Sequence, residues 1–586
     1  MLAPIRCPQS LVYGFTGSLL IALTGCSYET PESTKSASSN TAYVVREQVN
    51  PASAPALHKQ ASDELMQVSE YAARQRLSVE PLANNQPYIL PAPVDARATA
   101  YAEHDREQYQ HYPKNPVFAV AQAPVSTFSI DVDTGGYANV RRLLNQGQLP
   151  QADAVRLEEM VNYFSYTYPD RHKDAPFALS TEVAQTPWNS QSLLLRVAIK
   201  AKDRSVAELA PANLVFLVDV SGSMARREGL PLVQSTLKLL VEQLRPQDRV
   251  SLVVYAGSSS VVLAPTSGSD KSTIRAAIDK LQAGGSTAGE SGIELAYQQA
   301  QKGFIKQGIN RILLATDGDF NVGISDFDAL KRLAASKRKS GISLTTLGFG
   351  TGNYNERLME QLADAGDGNY AYIDNMREAR KVLVDQLSST LAVVAKDVKI
   401  QVEFNPAQVS EYRLLGYENR ALQREDFSND KVDAGEIGAG HSVTALYEIV
   451  PRGKRGWLEP LRYQAATAQP DKQPVNDELA MLRLRYKAPE QTTSRLLEVP
   501  IAKPDRVVSI TKASEDLRFA AAVAAFAQQL QGGQYTQQFT LKDSAELARA
   551  AKGDDRSGLR AEFIQLVELA QSLQTSTPDV AINRVE

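Results

Sequence analysis

Two sets of oxygen-bearing side chains each follow an apolar run, and oxygen atoms are the ligands that hard metal ions prefer in proteins. Asp219, Ser221 and Ser223 come after the run 214–218, and Asp317 comes after a similar run. Both runs are too short for a helix and are almost wholly aliphatic, which is typical of strands buried on both faces of a parallel sheet. Ligands of open α/β sheets bind outside the carboxyl ends of the strands. We therefore expect these side chains to meet at one edge of a sheet.

A glycine-rich loop supplies a fifth candidate ligand, because Thr287 lies within the segment 284–289. One carboxylate is too few to fill the coordination shell of Mg²⁺, so the three pieces of chain would have to converge on one ion. The sequence predicts such a site for Mg²⁺, with Mn²⁺ or Ca²⁺ as alternatives. A competing interpretation is that Asp219 and Ser221 only cap the following helix, since Asp and Ser are preferred caps.

The order of these residues is that of the metal-ion-dependent adhesion site: Asp-x-Ser-x-Ser, then Thr in a glycine-rich loop, then strand-Thr-Asp-Gly. By this pattern, residues from about 213 to about 390 resemble a von Willebrand factor type A domain. The resemblance implies that Ser221, Ser223 and Thr287 offer hydroxyl oxygens to the ion, while Asp219 and Asp317 act directly or through water. It also implies that water or an acidic side chain of a bound protein partner completes the metal shell.

Strand and helix patterns alternate throughout this segment. Apolar residues recur at helical spacing in five stretches, 234–244, 273–281, 289–306, 326–339 and 356–365. This alternation is typical of βαβ units, and it predicts an α/β fold with a doubly wound, mainly parallel, Rossmann-like sheet.

Strand patterns also occur on both sides of the type A segment. Two precede it, at 177–183 and 192–199, and three follow it, at 398–404, 442–450 and 482–486. They predict a β-sandwich into which the type A domain is inserted, with two unrelated small β-domains as the alternative. The predicted parts of the body are a small α/β segment (125–175), sandwich strands (176–210), the type A domain (211–390), a β-rich domain (391–512) and a helical carboxyl-terminal region (513–586). The first and last parts resemble segments that accompany type A domains in a group of bacterial lipoproteins.

The amino terminus has the features of a secreted lipoprotein. An apolar stretch at 11–23 is too short for a comfortable membrane span. It ends in Leu-Thr-Gly-Cys26, which resembles a bacterial lipobox and implies removal of residues 1–25 and acylation of Cys26. By the same resemblance, Ser27 favours the outer membrane, with the protein facing the periplasm. An ordinary secretory signal and an uncleaved anchor are the alternatives.

The segment 26–124 differs in composition from the rest of the chain, because Pro, Ser, Ala, Asn, Gln and Thr dominate it. A segment of this kind buries too little apolar surface to offset its ordering entropy. We interpret it as a disordered tether between the lipid and the folded body.

Charge and cysteine content exclude other classes of protein. The 586 residues carry 63 Lys and Arg against 67 Asp and Glu, so charge gives no case for nucleic-acid binding. The two cysteines, Cys7 and Cys26, both lie at the amino terminus, which leaves the body without a disulfide or a thiolate metal site.

These features predict a lipid-anchored cell-envelope protein that binds a protein partner presenting Asp or Glu through Mg²⁺, and that is not an enzyme. A first alternative is a scaffold that binds through its β-sandwich or helical tail and uses the metal only for stability. A second is a metal-dependent hydrolase such as a phosphatase. Such an enzyme would want a second acid beside Asp219, but residue 221 is Ser, and Asp319 is the one candidate for this role.

Overall fold

The computed structural model describes residues 107–168, 175–285, 289–318, 327–459, 461 and 477–576. The predicted signal peptide, Cys26 and most of the predicted tether lie outside the described residues, as does Thr287. No helix within the described ranges combines the length and the apolar character that a membrane span requires.

The first part of the described chain contains four strands and two helices. They are β1 (Phe118–Ala119), β2 (Val125–Ser129), α1 (Gly135–Asn145), α2 (Leu157–Asn162), β3 (Phe177–Gln185) and β4 (Leu193–Ala201). The predicted tether is wrong at its carboxyl-terminal end, because β1 pairs with residues 411–412 and Val120 is buried. Phe118 stacks on the ring of Tyr412 at 5.4 Å, a contact that the composition of this stretch does not predict.

The type A segment forms one six-stranded sheet covered by helices. In chain order its elements are β5 (Ala212–Asp219), α3 (Leu230–Gln243), β6 (Arg249–Tyr255), β7 (Ser259–Ser267), α4 (Lys271–Asp279), α5 (Gly289–Lys302), β8 (Ile309–Thr316), α6 (Phe327–Lys337), β9 (Ser343–Gly348), α7 (Glu356–Ala365), β10 (Tyr370–Tyr372), α8 (Met376–Arg380) and α9 (Leu387–Leu391). The strand order is β10-β9-β8-β5-β6-β7, and every pair is parallel except β6–β7. The predicted doubly wound, mainly parallel sheet is confirmed.

Strand β5 lies at the centre of this sheet, and all eight of its residues are buried. Leu214, Phe216 and Val218 pack into the hydrophobic core on one face, while Val215 and Leu217 pack into a separate core on the other. Helices cover both faces, which explains why the strand is an unbroken apolar run and does not alternate with polar residues.

Six further strands complete a sandwich around the points where the type A domain begins and ends. They are β11 (Val393–Phe404), β12 (Val409–Leu415), β13 (Ile437–Gly438), β14 (Ser442–Pro451), β15 (Glu478–Lys487) and β16 (Arg495–Ala502). One sheet has the order β1-β12-β14-β4-β3, and the other has the order β13-β11-β15-β16, with β2 also paired to β11. Phe404 of the second sheet contacts Tyr412 and Tyr447 of the first at ring distances of 4.3 and 5.3 Å. The predicted sandwich with an inserted type A domain is confirmed.

The carboxyl-terminal region is helical, as predicted, and consists of α10 (Glu515–Leu530), α11 (Leu541–Ala550) and α12 (Leu559–Ser576). It packs on α1 and α2 to form a helical layer, in which Phe164 contacts Phe519 and Phe563 at ring distances of 4.9 and 5.6 Å. The segment 125–175 is therefore not a domain of its own, because its strand belongs to the sandwich and its helices to this layer. Its apolar residues are too few for a separate core.

A buried arginine joins the helical layer to the type A domain. The side chain of Arg141 on α1 is fully buried and lies 2.5 Å from Asp374 and 2.8 Å from Glu378, both in the type A domain. The same guanidinium group donates to the hydroxyl of Tyr163 at 2.8 Å and to Glu562 of α12 at 3.2 Å. This cluster holds α1, α12 and the end of the type A domain in one arrangement.

Candidate metal site

Asp219 is the last residue of β5, and its side chain is fully buried. One carboxylate oxygen, Oδ1, accepts a hydrogen bond from the backbone N–H of Ser221 at 2.9 Å. The other, Oδ2, accepts from the hydroxyl of Thr316 on the adjacent strand β8 at 2.8 Å. The turn after β5 therefore fixes one oxygen of this carboxylate, and the adjacent strand β8 fixes the other.

Ser223 lies on the short 3₁₀ turn Gly222–Ala225 that follows β5, and Ser221 is the residue just before this turn. Their Oγ atoms are 3.0 Å apart, so the two hydroxyls point into the same space. Ser221 is buried and Ser223 is exposed. The fully buried Met224 anchors the turn to the hydrophobic core. The pair thus lies where this edge of the sheet passes from buried to exposed residues.

Asp317 follows the last residue of β8 and is 1% exposed. Its Oδ2 accepts a hydrogen bond from Nδ2 of Asn353 at 3.1 Å, and Asn353 lies in the loop after the next strand, β9. The next residue, Gly318, has φ of +84°, and a Cβ there would lie 3.0 Å from backbone and side-chain atoms of Asn355. The close approach of these two loops requires glycine at position 318.

The described start of the glycine-rich loop lies at the same edge. The N–H of Gly222 donates to the carbonyl of Gly285 at 3.1 Å, and the N–H of Gly284 donates to the carbonyl of Val220 at 2.7 Å. The structure thus brings Asp219, Ser221, Ser223 and Asp317 to one edge of the sheet, where this loop begins. Thr287 and the alternative acid Asp319 lie outside the described residues.

Two buried carboxylates at this edge create an electrostatic need for a cation. Burial raises the pKa of Asp219 to about 6, and the nearby carboxylate of Asp317 raises it as well. Burial, together with Asp219, also raises the pKa of the Tyr255 hydroxyl on the neighbouring strand β6. A divalent ion would offset the repulsion between the two acids.

The donor set is also chemically suited to such an ion, since carboxylate and hydroxyl oxygens are the ligands of Mg²⁺, Mn²⁺ and Ca²⁺. In the part of the chain that the structure describes, no group of three or more His, Cys, Asp or Glu side chains is arranged to hold a metal. The candidate donor set among the described residues at this edge therefore consists of two carboxylates and two serine hydroxyls. We conclude that the residues fit a hard divalent cation.

Two residues that fix the acids of the site, Thr316 and Asn353, were not among the predicted metal ligands. Thr316 fixes Asp219 and also accepts a hydrogen bond from the N–H of Gly318 at 3.0 Å. Asn353 fixes Asp317. The polar, glycine-containing sequence 350–355 after a third apolar strand was the available signal for Asn353, because parallel strands end at the same edge of a sheet.

Three family models match the chain. The model described as von Willebrand factor type A domain matches residues 213–386, which confirms the predicted type A domain. A model described as von Willebrand factor matches residues 103–196. The model described as the carboxyl-terminal part of the uncharacterized protein YfbK matches residues 389–573.

Individual relatives extend this result. The uncharacterized protein YfbK of Escherichia coli is 52% identical over 485 residues, which are 82% of this chain and 83% of that protein. The uncharacterized protein sll0103 of Synechocystis is 32% identical over 198 residues, which are 33% of this chain and 45% of that protein. Among solved structures, a von Willebrand factor type A protein from Catenulispora acidiphila is 16% identical. It covers 66% of this chain and 90% of its own, with a TM-score of 0.36.

Proposed function

The chain belongs to the YfbK family of proteins with a von Willebrand factor type A domain, and from this premise we propose that it binds a protein partner through a metal ion. Asp219, Ser221, Ser223, Thr287 and Asp317 hold the ion in this proposal, and Mg²⁺ is the ion we favour. The observation that carries the proposal is the pair of buried acids beside two hydroxyls at one edge of the sheet. An ion held in this way attracts a carboxylate of the partner, because oxygen anions are its preferred ligands.

Binding without catalysis is part of the proposal. The sequence has no histidine between residues 213 and 386, so the type A domain contributes no imidazole as a general base. At the edge where Asp219 and Asp317 meet, the position two residues after Asp219 is the hydroxyl residue Ser221 and not a second acid. Such a site is better suited to hold a carboxylate than to activate a nucleophile.

A test of this function uses the full chain, immobilised with its anchor in detergent, as bait for envelope proteins. We expect proteins captured in Mg²⁺ to be released by EDTA, because removal of the ion removes the link between the two carboxylate-bearing surfaces. EDTA saturated beforehand with Mg²⁺ is the matched control and should release nothing. Partners that stay bound in free EDTA would contradict metal-dependent binding, and identification of the released proteins by mass spectrometry would name the partner.

We also propose that the protein is lipid-anchored to the bacterial outer membrane and faces the periplasm. The support is the lipobox-like sequence that ends in Cys26, followed by Ser27. Several acyl chains on one residue give stable anchoring where a single chain gives only reversible binding. The segment between Cys26 and residue 107 then connects the lipid to the folded body.

Replacing Cys26 with serine tests the anchor. We expect the wild-type protein in the membrane fraction after a high-salt wash, and C26S in the soluble periplasmic fraction or in the inner membrane as uncleaved precursor. The matched control is Cys7→Ser, which should leave the wild-type distribution unchanged because residue 7 is removed with the signal. A mature C26S protein, cleaved before residue 26, that still carries the acyl mass of the wild type would refute acylation at this cysteine.

A further inference from the structure

We infer that the segment 107–110, the first that the structure describes, is a positioning element of the metal site. It acts through the loop 349–355 that follows β9, here called the β9 loop, and this loop in turn fixes Asp317. The inference rests on the proposed metal-dependent function and goes beyond it, because it assigns control of the site to residues outside the type A domain.

Glu107 is the residue through which this segment holds the β9 loop. Its carboxylate is 2% exposed, and Oε1 accepts a hydrogen bond from the backbone N–H of Gly352 at 2.9 Å. Oε2 accepts from Nη2 of Arg142 at 2.7 Å and from the hydroxyl of Tyr109 at 2.6 Å. A buried carboxylate that accepts hydrogen bonds from these donors, one of them charged, has a single well-defined position. Glu107 therefore ties the β9 loop to α1.

The backbone of the segment adds two further bonds to the same region. The N–H of Gln108 donates to the carbonyl of Tyr354 at 2.9 Å, and the carbonyl of Gln108 accepts from the N–H of Glu356 at 3.1 Å. Residues Gln108 and Asn355 form a parallel β-bridge. The segment thus runs alongside the end of the β9 loop as a short extra strand, and it restricts the loop up to the start of α7.

The other side of the β9 loop lies against Asp317. Asn353, the neighbour of Gly352, donates from Nδ2 to Asp317 Oδ2 at 3.1 Å. At Gly350, where φ is +78°, an added Cβ would lie 3.2 Å from the Cβ of Asp317. The loop is therefore in direct contact with the metal-binding carboxylate. Glu107 is thus linked to Asp317 by two hydrogen bonds, one to Gly352 and one from Asn353, and these two residues are adjacent in the chain.

Groups that orient a metal ligand without touching the metal typically change metal affinity about 10- to 100-fold when they are removed. Asn353 is such a group for Asp317, and it sits on a loop with glycines at positions 350 and 352. Glycine-containing loops lose much conformational entropy when they are ordered. A contact from outside the loop is therefore needed to hold Asn353 in one position. Glu107 supplies this contact.

The test measures Mn²⁺ binding to the full chain by isothermal titration calorimetry for four proteins: wild type, Glu107→Ala, Asn353→Ala and the double variant. We expect each single variant to bind Mn²⁺ about tenfold more weakly. The double variant should also be about tenfold weaker and not a hundredfold, because both residues act through one path and their effects are then not additive. The conservative variant Glu107→Gln keeps an oxygen for the Gly352 N–H but places its amide NH₂ group against Arg142, so it should recover only part of the lost affinity.

The control for a merely structural effect is Val567→Ala, which removes buried methyl groups from α12 in the helical layer. This variant should lower the thermal stability in EDTA and leave the Mn²⁺ affinity unchanged. If the wild type binds Mn²⁺ and Glu107→Ala binds it equally well, or if the two single effects add, the inference is overturned while the proposed function stands. If the wild type itself does not bind Mn²⁺ or Mg²⁺, both are overturned.

Discussion

Replacement of Asp219 by alanine should abolish capture of the protein partner. It should also weaken Mn²⁺ binding by more than about 100-fold, because loss of a metal ligand costs more than loss of a group that only orients a ligand. Asp219 is the fully buried acid whose two oxygens are fixed by Ser221 and Thr316. Among the described residues of the predicted metal site, Asp219 is the acid at the end of β5, and Asp317, the other acid, follows β8. Its removal leaves a divalent ion with one acid, Asp317, and with neutral hydroxyls.

The isosteric variant Asp219→Asn separates loss of metal from loss of fold. Metal at 100 times its dissociation constant should stabilise the wild type by about 2.7 kcal/mol, and the variant should gain nothing. Because the folded-state pKa of Asp219 is raised to about 6, ionised Asp219 opposes folding above that pH when metal is absent. The variant in EDTA at pH 8 should therefore unfold at the same temperature as the wild type or higher.

Differential scanning calorimetry with Mg²⁺ and with EDTA measures both the stabilisation by metal and the unfolding temperature of the metal-free protein. The matched control is Asp270→Ala, which removes an exposed acid just before α4 of the same domain and should keep the full metal response. A metal response that survives in Asp219→Asn would place the ion elsewhere. A variant that is unfolded in EDTA would instead show that Asp219 has a structural role.

Replacement of the buried Arg141 by alanine should lower the free energy of unfolding by about 3–5 kcal/mol, the usual cost of breaking a buried ion pair from one side. The variant leaves Asp374 and Glu378 without the guanidinium group that contacts both. Burial already raises the pKa of Asp374 with Arg141 present, and loss of the cation raises it further. The folded variant then takes up protons at a higher pH than the wild type. The difference in free energy of unfolding between the two proteins should therefore shrink as the pH falls toward the usual carboxyl pKa of about 4.

Urea denaturation at pH 5 and pH 8 measures this effect. The matched control is Arg380→Ala, which removes an exposed arginine from the neighbouring helix α8 and should cost less than about 0.5 kcal/mol. Hydrogen exchange should show protection falling together in α1, α12 and the end of the type A domain. A deficit of the same size at both pH values would contradict the electrostatic explanation.

The type A domain was predictable because its local signals agree with its fold. The apolar run of β5 can only be a strand covered on both faces, and the acids and hydroxyls directly after the strands mark one edge of the sheet. The starts of helices were harder to predict from the sequence. Helix α3 begins at Leu230 and not at 234, since Pro231 fits the first turn of a helix and so marks a start. Metal binding by Asp219, Ser221, Ser223, Thr287 and Asp317 stays a prediction.

Long-range contacts were the part that the sequence did not reveal. Residues 107–124 have the polar composition of a tether, and it is contacts with distant parts of the chain, such as the pairing of Phe118 with Tyr412 and of Gln108 with Asn355, that show they belong to the body. Helices α1 and α2 look like part of a small domain until α10 and α12 cover them. The contact of Glu107 with Gly352 depends on the same assembly. No local pattern encodes such pairs, because their members lie hundreds of residues apart.

The insertion of the type A domain also sets an order of assembly during synthesis. Strand β4 pairs with β14, and Leu195 lies opposite Tyr447, so the β3–β4 hairpin is made long before its partner strand. At about 5–20 residues per second the gap of about 250 residues lasts about 10–50 s. During this interval the hairpin carries an unpaired strand edge and an uncovered apolar face, while the type A domain can already fold from contiguous chain. In a newly made chain the β3–β4 hairpin therefore stays exposed after the type A domain already has all of its own sequence.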